Sequence, residues 1–242
     1  MTADQPRTSL GAHELIEARA LPFRISIATS QQDLIDVVSL RSQAYARHNA
    51  PAAGRLKSLE EQDRGADAIV LLARSKLDAM AVGSVRVQTR VSKPLMVEGA
   101  MQLPYEVANA NPVELMRGSI SNGTAGRMVS ASLAKASFLL CLYFDFSHVI
   151  VTCREPVNLM YRAYQFDELL SGEMIDLPYS PGVKHKVLCL PMKDAVERWR
   201  SRNRPLFDFM LSTNHPDIQL DHAHAKRQLD RAAAMKLQSV ET

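Results

Sequence analysis

The sequence predicts a mixed α/β (α+β) domain, a central sheet flanked by helices. Three observations carry that expectation. Short runs of period-two or continuous apolar character recur along the chain, segments with apolar residues three and four apart lie between them, and one run passes through a glycine loop directly into a long apolar helix. With 242 residues, 46% hydrophobic and 23% charged, the chain is long enough for one sizeable core plus appendages, and too apolar for general disorder.

Residues 1–22 are polar and mixed in charge and read as a loose leader, without the cationic start and apolar centre of a secretory signal. The first strand is "FRISIAT", residues 23–29, alternating Phe23, Ile25 and Ile27 with Arg24, Ser26 and Ala28. Ser30 followed by Asp33 predicts an N-cap, and the helix it opens runs to about His48. Leu34, Val37, Val38, Arg41 and Tyr45 share one stripe of that helix, so Arg41 points inward. A buried guanidinium needs anionic partners, for which Glu60, Asp63 and Asp67 are the nearest candidates. The plainer alternative is an Arg41 that snorkels to the surface.

Strands follow at residues 68–73 and 80–89, joined by the hairpin-length turn "RSKLD" and expected to pair antiparallel. In the second, Ser84, Arg86 and Gln88 face one way and Val85 and Val87 the other, which makes Arg86 another partner for the same acids. Residues 90–111, with Pro94 and Pro104, read as a long excursion with one irregular helical turn. "PVELMRGSI", residues 112–120, is strand-like. Its odd spacing puts Glu114 and Arg117 on opposite faces unless a bulge intervenes, and a bulge there would open the sheet. An exposed amide at such a bulge can bind a carbonyl while a nearby carboxylate takes an amine proton, the geometry of acyl transfer.

The loop "SNGTAGR" supplies Gly123 and Gly126 before an apolar helix over residues 128–146. It suits a phosphate at a helix start but lacks the Lys-Ser/Thr pair of a P-loop. A strand at 148–153, a helix at 156–170 and a final strand at 186–192 complete the domain. Residues 193–242 read as a helical, repeatedly broken extension. No nucleophile elbow or zinc-binding HExxH helix is present, and His222 and His224 read as part of a solvated helix face. Cys141, Cys153 and Cys189 form neither pairs nor a metal pattern, which points to a reducing, cytoplasmic setting. No apolar run approaches the roughly 20 residues of a membrane span, leaving at most peripheral membrane contact. The formal net charge of +3 is too small for a dedicated nucleic-acid binder.

Taken in order, Arg41 with Tyr45, Asp63 and Asp67, "GSVRVQ" followed by "KPLMVE", and "ELMRGSI" resemble the N-acyltransferase branch of the GNAT fold, which includes acyl-homoserine-lactone autoinducer synthases and N-acyl amino acid synthases. The resemblance covers roughly residues 23–192 and implies a bent mixed sheet, splayed at its middle to admit an acyl-phosphopantetheine thioester. It implies no tightly bound cofactor and no metal. Carried over by position, Arg41, Tyr45, Asp63, Asp67 and Arg86 shape the acceptor side, and Glu114 is the base with Arg117 and Arg86 beside it. Ser119, Ile120, Asn122, Gly123, Gly126 and Arg127 hold the pantetheine and its phosphate. The implied function is transfer of a medium or long acyl chain from acyl carrier protein, or from acyl-CoA, to the amine of an amino acid or similar small acceptor. The alternatives are an acetyl-CoA-dependent N-acetyltransferase and a non-catalytic binding module on the same fold. The chain lacks the tryptophan that autoinducer synthases place after the first helix, its single Trp being Trp199, and it lacks the tight glycine pattern of acetyl-CoA enzymes. Docking of an acidic carrier would draw on Arg127, Lys135, Arg154, Arg162, Lys184 and Lys186.

Overall fold

The computed structural model describes residues 17–48, 50–123 and 125–240; most of the expected leader lies outside them. Strand β1 (Phe23–Ile27) buries Phe23, Ile25 and Ile27, as its alternation requires. Helix α1 (Gln31–Ala46) starts at Ser30, whose Oγ accepts from the Asp33 N–H while the Asp33 carboxylate accepts from the Ser30 N–H, both at 3.1 Å.

Strands β2 (Ala68–Ser75) and β3 (Ala81–Thr89) form the expected antiparallel hairpin, and β1 pairs antiparallel with β2. Ile69, Leu71 and Ala73 of β2 face one core, whereas Val70 and Leu72 face another with Val37 of α1. The continuous apolar run of β2 is therefore that of a strand covered on both faces. Strand β4 (Pro112–Ile120) pairs antiparallel with β3 and parallel with β5 (His148–Cys153), and helix α2 (Gly126–Tyr143) makes the connection between them. Gly83 of β3 lets α2 lie directly on the sheet, since a Cβ there would sit 2.3 Å from Val129 Cγ1 and 2.9 Å from Leu133 Cδ1.

The helix expected over 156–170 is shorter. Helix α3 (Val157–Ala163) stops because Gln165 takes a left-handed conformation (φ 67°), Phe166 turns into the core against Tyr161, and Asp167–Glu168 pair with the last long strand instead. That strand, β6 (Ser180–Pro191), begins well before the apolar stretch at 186–192. The 90–111 excursion contains two short helical turns, Met96–Gly99 and Tyr105–Ala108, and packs Leu95, Val97, Leu103 and Val107 over Ile150, Val187 and Cys189 as a second core.

The C-terminal segment joins the main core through Trp199, Leu206, Met210, Ala225 and Leu229. Besides helices α4 (Met192–Arg202) and α5 (His222–Val240), it carries Ile218–Gln219, which adds to the edge of β1 as a parallel strand. Two-residue pairings of this kind have no hydrophobic period to betray them. His222 is not free in solvent; its ring stacks on Tyr143 with centroids 3.9 Å apart. Among the described residues, no helix is long and apolar enough to cross a membrane.

Candidate active site

Pairing of β4 with β5 stops at Leu115↔Val151, although both strands run on. On its other side, β4 is bulged against β3: Arg86 faces Met116 and Ser84 faces Ser119, so Arg117 and Gly118 together oppose Val85. Arg117 has φ 57°, a left-handed conformation rare outside glycine. The extra residue resets the alternation and brings Arg117 to the same side as Glu114. Neither Arg117 nor Gly118 has a register partner in either neighbouring strand.

The gap so formed holds a cavity of about 640 Å³, within the range of small-molecule sites. One wall is Met116 to Ile120 of β4 and the other is Thr152, Cys153 and Arg154; Leu133, Ala134 and Ser137 of α2 line it from the helix side. Tyr45, Glu60, Tyr161, Tyr179 and His185 also face it.

Behind the cavity, on the α1 face of the sheet, lies a charged knot. Asp63 takes a two-pronged contact from Arg41 at 2.7 and 2.8 Å and a third bond from Arg86 at 3.0 Å. Glu60 receives Arg117 at 2.6 and 2.7 Å, Arg86 at 3.1 Å and Arg41 at 3.2 Å. Burial opposes ionisation of both acids, but Arg117, Arg86 and Arg41 hold Glu60 below the usual carboxylate range, as Arg41 and Arg86 do Asp63. Three guanidiniums share two carboxylates, so the knot carries a net positive charge toward the cavity.

Glu114 is fully buried beside this knot but outside it. Its carboxylate accepts from the Val97 N–H at 3.0 Å and from the Tyr179 hydroxyl at 3.4 Å. Burial pushes its carboxyl up to about 7, against the pull of these two donors. Glu114 does not itself line the cavity. Tyr179 does, and its hydroxyl stands 3.1 Å from the Thr152 hydroxyl while Arg117 lies over its ring at 5.0 Å.

Of the residues read from the sequence, Arg41, Asp63, Arg86 and Arg117 meet in the knot, and Tyr45 faces the cavity beside Arg117. Asp67 stands apart: its carboxylate binds the Ser92 N–H and hydroxyl and fixes the turn after β3, because the chain between Asp63 and Asp67 leaves the α1 face to enter β2. Ser119 and Ile120 line the cavity, whereas Asn122, Gly123 and Arg127 are exposed and, with Gly126 at the start of α2, stand off its walls.

The expected cationic patch is also redrawn. Lys135 is buried on the far side of α2, donating to the Phe209 and Thr213 carbonyls and lying 3.0 Å from His215 Nδ1. Arg162 and Lys186 both pair with Glu168, and Lys184 pairs with Asp176. Tyr179, Arg47 and Thr152 carry no local signal in the sequence. Glu60 is visible there, as one of three acids offered to Arg41. Among the described residues, no group of three His, Cys, Asp or Glu side chains is placed to hold a metal.

A bulged, splayed mixed sheet with a ligand-sized gap between its fourth and fifth strands defines the GNAT fold. No protein-family model and no curated protein sequence matches the chain. Solved structures do. The N-acyl amino acid synthase FeeM, from uncultured soil microbes, superposes with a TM-score of 0.57 over 72% of this chain and 93% of that one, at 10% identity. BjaI, a CoA-dependent acyl-homoserine lactone synthase, gives 0.56 over 85% and 99%, at 16% identity. A protein assigned to the GNAT family of acetyltransferases, from Desulfovibrio desulfuricans, gives 0.51 over 70% and 99%, at 11% identity. At these identities the likeness is one of fold.

Proposed function

We propose that the protein is an N-acyltransferase, moving a medium or long acyl chain from an acyl-phosphopantetheine thioester to the amine of an amino acid or similar small acceptor. The donor is acyl carrier protein, with acyl-CoA as the other carrier of the same thioester. The observation that carries this reading is the cavity in the β4/β5 gap, with a bulged strand edge on one wall and the Glu114–Tyr179 pair beside it. The names of FeeM and BjaI support it from outside: the one is an N-acyl amino acid synthase and the other a CoA-dependent acyl-homoserine lactone synthase.

In this reading the thioester lies in the gap with its carbonyl oxygen toward the bulge at Arg117 and Gly118, where backbone amides and the adjacent guanidinium stabilise a developing oxyanion. The acceptor amine attacks the carbonyl carbon, forming the C–N bond, and the C–S bond then breaks. The amine proton passes through the Tyr179 hydroxyl to Glu114. Burial raises the Tyr179 phenol, so it relays a proton rather than storing a charge. Glu114, pushed up to about 7, is ionised in an appreciable fraction at neutral pH and still basic enough to keep the proton. On the opposite wall Tyr161, its phenol likewise raised by burial, is a neutral donor for the leaving thiolate. Leu133, Ala134 and Ser137 offer a mainly apolar surface to the acyl chain.

The test is a purified-enzyme assay in which acyl carrier protein and CoA thioesters of graded chain length are offered with a panel of amines, the products being identified by mass spectrometry. N-acylated product from medium or long donors is expected. Preferred turnover of acetyl-CoA would move the protein to the acetyltransferases, and donor binding without turnover would make it a binding module.

A further inference from the structure

The mouth of the gap is spanned by two arginines. Arg47, just past the end of α1, donates from Nη2 to the Ile120 carbonyl at 2.5 Å, so the end of α1 is tied to the last residue of β4. Arg154, just past the end of β5, donates from its Nη2 to the His48 carbonyl at 3.4 Å, so the same short segment is tied to the other lip. Arg47, His48, Ile120 and Arg154 all line the cavity. Each guanidinium is thus held by a neutral carbonyl, and among the described residues no carboxylate lies within ion-pair distance of Arg47 or Arg154. That sets them apart from the arginines at the inner end, each of which pairs with a carboxylate. An arginine fork facing a cavity with only a carbonyl for partner is suited to an anion, because a charged acceptor binds about twice as well as a neutral one.

Which anion fits follows from position. Ile120 ends the strand that lines the gap, and Arg154 begins where the opposite strand ends, so the pair lies at the outer end of the cleft, away from Glu114 and Tyr179. A donor whose thioester reaches the inner end carries its phosphate at the outer one.

We propose that Arg47 and Arg154 form the binding site for the phosphate of the donor's phosphopantetheine arm, and that without donor they hold the mouth of the gap closed through the Ile120 and His48 carbonyls. The inference rests on the acyl-phosphopantetheine reading above. Arrival of the phosphate exchanges each carbonyl contact for a charge-assisted one, so the same two side chains release the lips and hold the ligand. An acceptor carboxylate offers similar chemistry, and the experiment separates the two.

Calorimetric titration of the full chain with 4′-phosphopantetheine and with pantetheine compares ligands that differ by the phosphate alone. The parent is expected to bind the phosphorylated compound about tenfold more tightly, which corresponds to about 1.4 kcal/mol. In the Arg47→Gln, Arg154→Gln double variant the ratio should fall to about one, while pantetheine affinity stays level or rises because the mouth is no longer tied. The exposed Arg47→Gln change alone should lose part of the ratio, and Arg47→Lys should restore most of that, which guards against a double variant that does not fold. A ratio unchanged in every variant overturns the proposal, as does a change seen only in titrations with amino acids. A parent that binds pantetheine with no gain from phosphate also overturns it while leaving the acyltransfer reading intact. A parent that binds neither compound overturns both.

Discussion

Arg117 reaches in two directions. On one side it pairs with Glu60 at 2.6 Å, and on the other it covers the ring of Tyr179, whose hydroxyl meets Glu114 at 3.4 Å. Both acids lie between the sheet and the segments that cover it, yet Glu60 is held below the usual carboxylate range and Glu114 is pushed up to about 7. The difference is one of partners. Glu60 is surrounded by three guanidiniums, which favour its charged form; Glu114 has one backbone N–H and one long bond from a phenol, so burial keeps its proton within reach at neutral pH. The same fold therefore contains an acid that builds and an acid that titrates, separated by one arginine.

The contrast breaks most severely from the paired side. Asp63→Ala strips Arg41 and Arg86 of their main partner inside the protein, and the expected loss is about 3–5 kcal/mol in denaturant unfolding, a large share of a domain's stability. Next comes Glu114→Gln, which keeps shape and hydrogen bonding but cannot take a proton. Turnover should fall by about a hundredfold or more, and the rise in rate expected as pH passes through about 7 should vanish. The same variant tests stability. A carboxyl raised from 4.5 to about 7 on folding binds its proton more tightly in the folded state, so the stability it lends is complete below about pH 4.5 and is lost as pH rises through about 7. Urea unfolding at pH 4.5 and pH 8 should show the parent losing more than the Gln variant does.

Smaller effects sharpen the same comparison. Tyr179→Phe keeps the ring under Arg117 but removes the donor to Glu114; an effect of about tenfold on turnover is expected, with the rising limb of the pH profile displaced to higher pH because the charged form has lost a hydrogen bond. Asp67→Asn should leave turnover unchanged and cost about 1 kcal/mol through the turn it ties at Ser92, a thermal-melt measurement. A loss of activity equal to that of the knot variants would restore Asp67 to the acceptor side.

Much of this arrangement is legible in the amino-acid order. The stripe that turns Arg41 inward, the face of β3 that carries Arg86, and the odd spacing that leaves Glu114 and Arg117 on opposite faces unless a bulge intervenes are all local periodicities, and local periodicity is what a sequence displays directly. Tyr179 is different. It follows a proline in a polar stretch, and its meeting with Glu114 depends on where β6 crosses the sheet, a contact across 65 residues. Lys135 misleads for the opposite reason: a lysine in an apolar helix looks like a surface charge until the C-terminal segment folds over it and offers two carbonyls. The end of α3 is hidden in the same way, since pairing of Asp167–Glu168 with β6 overrides the helical pattern that continues to Leu170. What the order of residues conceals is long-range partnership, and the polar half of the site consists of it.

Gly83 touches no part of the cavity, yet it fixes the cavity's size. The three side-chain atoms that an added methyl would crowd belong to Val129, Leu133 and Ile120, and two of these residues form the cavity wall. The missing side chain sets how closely α2 seats on the sheet, and so how wide the gap stays beside Leu133 and Ile120. The width of the gap is then inherited from a backbone spacing, and a single methyl on the sheet would change it with every residue of the wall unchanged.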